Sequence, residues 1–158
     1  MMRVGHGYDV HALEAGEGVT LGGVFIACEW SLRAHSDGDV VLHAVADALL
    51  GAAALGDIGR HFPDTDPAWR DADSRDLLAR VVELVCGEGW RPGNIDVTVI
   101  AETPKLAPHV EAMRETLADL TQMPTSAVSL KATTHERLGA LGRSEGIAAH
   151  AVCLLEGR

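Results

Sequence analysis

The sequence predicts an α+β fold, a two-layer sandwich in which a mixed four- to five-stranded sheet packs against helices on one face. Of the 158 residues, 47% are apolar and 23% are charged, which is ordinary for a chain able to bury a core. Apolar residues recur with a helical period in some segments and alternate in others, so both types of element are expected. Their order, β-β-α-α-β-α-β, contains no repeat and no linker. We therefore expect a single domain over residues 1–158.

The first segments predict strands joined by tight turns. Met2–Val10 is expected to be a strand with a glycine-broken end, followed by a turn over Glu14–Gly18. Val19–Leu21 and Val24–Cys28 flank a Gly-Gly pair, which is typical of a hairpin with a two-residue turn.

Two helices are expected next, separated by a long loop. Asp39 is a good N-cap for an Ala- and Leu-rich helix that ends near Leu55. Gly56–Asp73 contains two prolines and five aspartates and predicts an irregular acidic loop. Ser74–Cys86 has one apolar face and predicts a second helix, with Ser74 as its cap.

The second half of the chain continues the alternation of strands and helices. Ile95–Glu102 alternates as a strand does, and Pro108–Gln122 predicts the third helix. Val128–Ala132 predicts another strand, Thr133–Gly142 a short helical turn, and Gly146–Leu155 a closing apolar strand.

Several apolar residues of these strands indicate sheet surfaces that need cover. Three helices can cover one face of a sheet, so a second apolar face would be buried by association with other copies of the chain. We therefore expect a homo-oligomer. The residues on which this expectation rests are Val97, Val99, Leu130, Ile147 and Val152.

Composition excludes some functions and compartments. Lys and Arg number 13 against 23 Asp and Glu, a net charge of −10, so the chain has no basic surface for nucleic acid. Cys28, Cys86 and Cys153 form no CxxC pair and favour a reducing, cytoplasmic setting. The longest apolar stretch, Ala44–Leu55, is too short to span a bilayer, so no membrane partner is expected.

One group of residues has the composition of a metal site. Asp9 and His11 are two residues apart at the end of a strand and point the same way, and His43 could supply a third ligand. Two histidines and a carboxylate leave a position open for substrate or water, as in catalytic zinc sites, although the same set suits non-haem iron. The alternatives are a solvated turn and a buried, hydrogen-bonded histidine. Asp47 could orient the imidazole of His43 from behind, or be a buried acid with a local partner.

Two polar segments could bind an anion or a polyol. His35–Asp39 precedes a helix N-terminus, where free N–H groups favour an anion, although a capped polar turn has the same composition. The acids of the segment 57–66 could accept hydrogen bonds from hydroxyl groups, or could form a solvated loop.

Two further segments follow predicted strands, where ligands often bind in α/β proteins. In Ala101–Ala107, Lys105 offers a cation for a phosphate. In Thr133–Glu136, Glu136 offers an oxygen ligand for Mg²⁺. The same Thr133-x-x-Glu136 spacing also matches a helix capping box.

Taken together, six segments resemble the 2-C-methyl-D-erythritol 2,4-cyclodiphosphate synthase family. In chain order they are GHGYDVH at Gly5–His11, AHSDGDVVLHAVADALLGAAALGDIG at Ala34–Gly59, FPDTDP at Phe62–Pro67, IAETPKL at Ile100–Leu106, KATTHERLG at Lys131–Gly139 and GRSEGIA at Gly142–Ala148. The resemblance covers essentially the whole chain. It implies a homotrimer formed through the sheets, with active sites between neighbouring subunits.

The resemblance also implies a reaction. The small-molecule cytidine diphosphate substrate would be 4-diphosphocytidyl-2-C-methyl-D-erythritol 2-phosphate, whose 2-phosphate attacks the β-phosphate and expels CMP. The product would be 2-C-methyl-D-erythritol 2,4-cyclodiphosphate, in the non-mevalonate (MEP) pathway to isoprenoid precursors. Such an enzyme is a phosphorus-oxygen lyase in which positioning and charge neutralisation supply most of the catalysis.

Residue roles are implied in the same way. Asp9, His11 and His43 would hold one Zn²⁺ per site, and Glu136 a second divalent ion, Mg²⁺ or Mn²⁺. His35 and Thr134 would stabilise the transition state. The residues expected to contact substrate are Asp9, Val10, His11, His35, Ser36, Asp57, Ile58, Gly59, Phe62, Pro63, Asp64, Thr65, Asp66, Ala101, Glu102, Thr103, Pro104, Lys105, Leu106, Ala107, Thr133, Thr134, His135, Glu136, Ala140 and Arg143.

The chain departs from the family pattern at two positions. His135 stands where Thr is frequent, and Ala140 stands where Phe is common beside a cavity near the trimer axis. Two other functions stay open from the residues alone. One is a metal-dependent phosphohydrolase that uses water at the same site, and the other is a trimeric nucleotide-binding sensor with a structural metal.

Overall fold

A mixed five-stranded sheet is the base of the fold in the computed structural model, which describes residues 1–158. The chain forms the strands β1 (Met2–Ala15), β2 (Gly18–Leu21), β3 (Val24–Ala27), β4 (Trp30–Leu32), β5 (Trp90–Ile100), β6 (Val128–Thr133) and β7 (Gly146–Gly157). The sheet order is β4-β1-β7-β5-β6, and β2 pairs with β3 in a separate hairpin. Only β5 and β6 are parallel, so the prediction of a mixed sheet is confirmed.

The helices cover one face of this sheet. They are α1 (Val40–Ala52), α2 (Ile58–His61), α3 (Ser74–Gly87), α4 (Val110–Thr121) and α5 (Gly139–Gly142), with single 3₁₀ turns at Ala107–His109 and Thr125–Ala127. The long helix α1 packs on β1 and β7, α3 on β5, and α4 on β6. No helix combines the length and the hydropathy that a membrane crossing requires.

The strands extend beyond the predicted limits because of their partners in the sheet. β1 continues to Ala15, since its end pairs with the edge strand β4, where Leu13 lies opposite Leu32. Only three residues long, β4 shows no alternation and was not predicted from the sequence. β5 begins at Trp90 rather than Ile95, because β7 pairs with it along this added length.

The helix limits also differ in detail. Asp39 caps α1 as predicted, with its side chain accepting from the Leu42 N–H, although the helix ends at Ala52. The predicted loop between α1 and α3 contains the short helix α2. The prediction of Ser74 as the cap of α3 is wrong, because the side chain of Asp73 accepts from the Arg75 N–H and Ser74 is the first helical residue.

Two glycines of β1 allow α1 to lie directly on the sheet. A Cβ atom at Gly5 would lie 1.9 Å from the Ala48 carbonyl oxygen, and one at Gly7 would lie 1.9 Å from that of Ala44. No side chain fits such a gap, so the strand and the helix backbone make van der Waals contact. This contact sets the distance between β1 and the side chains that α1 presents to it.

The buried carboxylate of Asp39 joins the hairpin to the start of α1. Besides capping the helix, it accepts hydrogen bonds from the Gly22 N–H at 2.9 Å and the Gly23 N–H at 2.7 Å. Both glycines have positive φ, and this backbone conformation directs both N–H groups to the Asp39 carboxylate. Burial raises the pKa of Asp39 to about 6, and the three N–H donors offset only part of that rise.

Replacing Asp39 with asparagine is expected to flatten the pH dependence of unfolding between about pH 4 and pH 6. In the folded wild type the pKa of this carboxyl rises from 3.8 to about 6, so the folded state holds the proton more tightly than the unfolded state. The wild type therefore loses up to about 3 kcal/mol of stability as the pH rises through this window, whereas an amide does not titrate.

Urea unfolding of both proteins, freed of metal with a chelator, measures this difference at a series of pH values. The variant is expected to start less stable, because its amide N–H faces one of the three backbone N–H groups. The difference in unfolding free energy between the variant and the wild type should narrow as the pH rises. A gap that stays constant from about pH 4 to pH 7 would contradict the raised pKa.

The sheet face opposite the helices, called the open face below, carries exposed apolar side chains. Tyr8 and Val152 are about half exposed there, and the rings of His150 and Tyr8 contact each other at a tilt of 55° with their centroids 4.8 Å apart. His150 Nδ1 is also hydrogen-bonded to His6 Nε2 at 3.0 Å. The large apolar residues of the open face are Val4, Tyr8, Val10 and Val152.

The sequence assignment of sheet faces was only partly right. Of the five apolar residues used for it, only Val152 lies on the open face. The other four are buried beneath the helices, and they are Val97, Val99, Leu130 and Ile147.

Candidate active site

Three side chains with metal-binding atoms meet where β1 passes the first turns of α1. His43, on α1, faces Asp9 and His11, which continue the helix-facing side of β1 beyond its two glycines. Asp9 Oδ2 lies 3.1 Å from His11 Nε2 and 3.0 Å from His43 Nδ1. The three ligand atoms all lie within 4.8 Å of one another.

The electrostatics of this cluster favour a charged carboxylate beside polarised imidazoles. Burial by itself raises the pKa of Asp9, but hydrogen bonds with His11 and His43 outweigh it and lower the pKa to about 2. The hydrogen bond with Asp9 raises the pKa of His11. Asp9 is therefore ionised at neutral pH and available as an oxygen ligand.

The donor set and its spacing fit a divalent cation. A tetrahedral ion bound at about 2.0–2.2 Å holds its ligand atoms about 3.3–3.6 Å apart. The distances of 3.1 Å and 3.0 Å from Asp9 Oδ2 to the nitrogens of His11 and His43 are close to this range. The outer nitrogen of His11, Nδ1, lies 3.2 Å from the Arg33 carbonyl oxygen, which can only accept a hydrogen bond. His11 therefore keeps a proton on Nδ1, and loss of the Nε2 proton that bonds to Asp9 would leave the Nε2 lone pair facing the cluster, as in a metal ligand.

The cluster lies in a cleft of about 570 Å³. Nine residues expected to bind metal or substrate line it: Asp9, His11, His35, Ser36, His43, Ile58, Gly59, Phe62 and Asp64. Six lining residues were not predicted: Ala34, Trp69, Arg70, Asp71, Ala72 and Leu77.

The segment between α2 and α3 forms one wall of this cleft. The rings of Phe62 and Trp69 meet edge to face with centroids 4.7 Å apart, and the Asp71 N–H donates to the His35 carbonyl at 3.3 Å. Arg70 adds a cation to a cleft otherwise rich in acids. The acidic composition of this segment predicted an irregular loop. The adjacent Trp69 and Arg70 were the feature of the sequence that could have indicated a wall of the cleft.

The side chain behind His43 is Ser74, which the sequence indicated only as a helix cap. His43 Nε2 lies 2.8 Å from Ser74 Oγ. The structure gives Asp47 another contact, because its Oδ1 accepts the Ile58 N–H at 2.8 Å and ties α2 to α1. Of the two sequence alternatives for Asp47, a partly buried acid with a local partner is the one observed.

A second cluster lies beyond the ends of β5 and β6. Glu102 Oε1 accepts the His135 N–H at 2.9 Å and the Arg137 N–H at 3.3 Å, which holds the loop after β6. Thr134 Oγ1 accepts the Glu136 N–H at 3.1 Å. No helix starts here, and Glu136 has a φ of 52°, so the predicted capping box does not form.

Within one chain this second cluster lies apart from the metal-binding side chains. Asp9, Ala149, Val99 and Ala132 lie opposite one another across four neighbouring strands. Three strand spacings of about 4.8 Å therefore place Ala132 about 14 Å from Asp9. The two clusters occupy the same end of the sheet without sharing a cleft.

The remaining expected contact residues lie outside the cleft. Val10 is on the open face, Asp57 caps α2, and Arg143 pairs with Glu145 at 2.6 Å. The others not among the cleft residues are Pro63, Thr65, Asp66, Ala101, Glu102, Thr103, Pro104, Lys105, Leu106, Ala107, Thr133, Thr134, His135, Glu136 and Ala140.

Comparison with known proteins gives a consistent result over the full chain. The family model described as the YgbB family matches residues 2–156. The 2-C-methyl-D-erythritol 2,4-cyclodiphosphate synthase of Thioalkalivibrio sulfidiphilus is 64% identical over 155 residues, or 98% of this chain and 97% of that one.

Solved structures show the same fold. IspF of Plasmodium falciparum in a CDP complex superposes with a TM-score of 0.88 at 32% identity, covering 99% of this chain and 97% of that one. The bifunctional IspDF of Campylobacter jejuni superposes with a TM-score of 0.96 at 40% identity. This chain is matched over 100% of its length but spans only 43% of the bifunctional protein. On the family match and these identities, the chain belongs to the YgbB family.

Proposed function

We propose that the cluster of Asp9, His11 and His43 holds the divalent cation of a cyclodiphosphate synthase. The protein converts 4-diphosphocytidyl-2-C-methyl-D-erythritol 2-phosphate to 2-C-methyl-D-erythritol 2,4-cyclodiphosphate and CMP, in the MEP pathway to isoprenoid precursors. The observation that supports the proposed site is the meeting of three metal-binding atoms in the cleft.

The reaction is an internal phosphoryl transfer. An oxygen of the 2-phosphate forms a bond to the β-phosphorus, and the bond from that phosphorus to the oxygen shared with the α-phosphate breaks. CMP leaves with the bonding electron pair, and neither water nor a redox partner is consumed. A divalent cation in the cleft would neutralise part of the negative charge of the diphosphate. The protein itself, with a net charge of −10, has no excess of positive charge for this purpose.

Zinc is the ion that we assign to the three-residue cluster. Two imidazoles and one carboxylate are typical of catalytic zinc sites, which keep a further position open for a substrate oxygen. We assign a second ion, Mg²⁺ or Mn²⁺, to Glu136, because a carboxylate suits these harder cations. Glu136 is exposed on its loop and can contact a substrate held by another chain.

The remaining roles follow the positions in the fold. His35 lines the cleft and Thr134 belongs to the second cluster, and both are proposed to donate hydrogen bonds to the reacting phosphoryl group. Ser36, with Ile58 and Phe62, is proposed to contact the methylerythritol part. The residues after β5, with Lys105 nearest the phosphates, are proposed to bind the cytidine.

A homotrimer would bring the two clusters together. They lie about 14 Å apart across one sheet, farther than one diphosphate group reaches. The open face, with its exposed Tyr8 and Val152, offers an apolar surface for association. We propose that three chains associate through this face and that each active site lies between two of them.

Replacing Val152 with aspartate is therefore expected to convert a trimer into monomers. A charge buried in an interface at this position loses its water and lies between the carboxylate of Asp96 and the imidazole of His6, whereas on a lone chain it stays solvated. Light scattering coupled to size-exclusion chromatography should show a mass falling from about three chains to one chain of 16.7 kDa.

Phe25→Asp is the matched control, since Phe25 is 63% exposed but lies in the hairpin, away from the open face. It should leave the mass unchanged. A trimeric Val152→Asp protein would show that chains associate elsewhere.

The activity is tested by ³¹P NMR of the purified protein with the cytidine diphosphate substrate, Zn²⁺ and Mg²⁺. Appearance of the cyclic diphosphate with CMP is expected. A linear product would identify a phosphohydrolase that transfers the group to water. No turnover by a zinc-loaded trimer would contradict the proposal and favour a nucleotide-binding sensor.

A further inference from the structure

The outer side of the His43 ring is held by two buried or half-buried polar side chains from other parts of the chain. His43 Nε2 lies 2.8 Å from Ser74 Oγ, and Ser74 Oγ donates to Asp37 Oδ1 at 2.5 Å. Ser74 is only 1% exposed, at the first residue of α3. The three residues form one chain of contacts that ends at the metal-facing imidazole.

The direction of each hydrogen bond in this chain can be assigned. The Asp37 carboxylate only accepts, and it also receives the Ser74 N–H at 2.9 Å and the Asp39 N–H at 3.1 Å. The single hydroxyl proton of Ser74 is therefore donated to Asp37. Ser74 Oγ is left as an acceptor, so His43 must donate its Nε2–H to it.

This direction decides where the proton of a neutral His43 lies. With Nε2 protonated, a neutral ring carries its lone pair on Nδ1, the atom that lies 3.0 Å from Asp9 Oδ2 and that donates to this carboxylate only while both ring nitrogens are protonated. Without an acceptor behind the ring, the proton would gain a better partner at Nδ1, in a hydrogen bond to Asp9. That arrangement would block the atom that must face a cation.

We propose that Ser74, oriented by Asp37, is a positioning residue that keeps the Nδ1 lone pair of His43 directed into the metal cluster. The inference rests on the proposed function of that cluster. It assigns to Ser74 the part that the Arg33 carbonyl plays for His11, where Nδ1–H donates and Nε2 faces Asp9. Each imidazole then has only the proton on its Asp9-facing nitrogen to give up when a cation binds.

The hydroxyl of Ser74 is not needed for the helix. Asp73 supplies the side-chain cap of α3, and the bond from the Ser74 N–H to Asp37 is made by the backbone. A Ser74→Ala chain can therefore fold with α3 in place. It loses the acceptor behind His43 and the hydroxyl donor to Asp37, and neither contact holds α3.

The test measures metal affinity and the protonated nitrogen of His43 separately. Ser74→Ala is expected to bind Zn²⁺ at least about tenfold more weakly in competition with a chelator. In metal-free protein at alkaline pH, ¹⁵N NMR of the histidine rings should show the proton of neutral His43 on Nε2 in the wild type. In Ser74→Ala it should move towards Nδ1.

Two further variants separate positioning from general loss of stability. Ser74→Thr keeps the hydroxyl and should restore most of the affinity and the wild-type tautomer. Thr121→Val removes another buried hydroxyl, which donates to the Leu117 carbonyl in α4, and should change neither readout.

The inference is overturned if Ser74→Ala binds Zn²⁺ as tightly as the wild type, or keeps the Nε2 proton. A wild type that binds no divalent ion would instead refute the proposed function of the cluster. The NMR measurement on metal-free protein would still decide the role of Ser74 in that case.

Discussion

Replacing His43 with alanine is expected to remove the bound cation and to lower turnover at least about a thousandfold. Nδ1 of His43 is one of three ligand atoms, and the two that remain, on Asp9 and His11, cannot complete a stable site. Charge stabilisation by a metal is worth several kcal/mol in a phosphoryl transfer, and about 4 kcal/mol corresponds to a thousandfold change in rate.

The His43→Ala protein should nevertheless remain folded. α1 is held by fully buried apolar side chains on both sides of this position, including Leu42, Leu49 and Leu50. Metal content by atomic emission, turnover by ³¹P NMR and the circular dichroism spectrum measure the three effects. His109→Ala is the control, because His109 precedes α4 away from the cleft. Full activity in a metal-free His43→Ala protein would refute the metal assignment.

Replacing Gly7 with alanine is expected to be among the most destabilising changes to the fold. The added Cβ would meet the Ala44 carbonyl oxygen at 1.9 Å, and a helix backbone cannot turn aside as a side chain can. α1 must move off β1, which breaks contacts through the core, so we expect a loss of about 3 kcal/mol or more. The same movement carries His43 away from Asp9, and zinc affinity should fall with stability.

Gly51→Ala is the matched control for this prediction. Gly51 is an exposed position of the same helix, and a Cβ there meets nothing within 4 Å. Alanine should stabilise α1 by about 0.5–1 kcal/mol. Urea unfolding measures both variants. A Gly7→Ala protein within about 0.5 kcal/mol of the wild type would show that β1 and α1 are less closely packed than described.

Much of the fold was predictable because the signals are local. Asp39 caps α1 within one helical turn, and the Gly22-Gly23 turn closes its hairpin between two short apolar runs. The Asp9-x-His11 pair follows from the period of a strand. His43 lies in the first turns of the next helix and was the candidate third ligand, and the structure brings its ring to this pair.

Other features depend on which elements meet in space, and the local pattern contains no information on that. The alternation of Val97 and Val99 shows a buried face but not which one, and β4 becomes a strand only because β1 offers it an edge. The Asp39 carboxylate also receives two N–H groups from the hairpin, which no capping rule predicts.

The support of the metal cluster shows the same division. Asp47 was one candidate partner of His43 because it is one helical turn away in the same helix, but it accepts a hydrogen bond from Ile58 instead. Ser74 lies 31 residues from His43 in sequence and 2.8 Å from it in space. The sequence by itself determined the three candidate ligands and the elements that carry them. Only the tertiary structure decided what lies behind each ligand, because packing brings together groups that no local period relates.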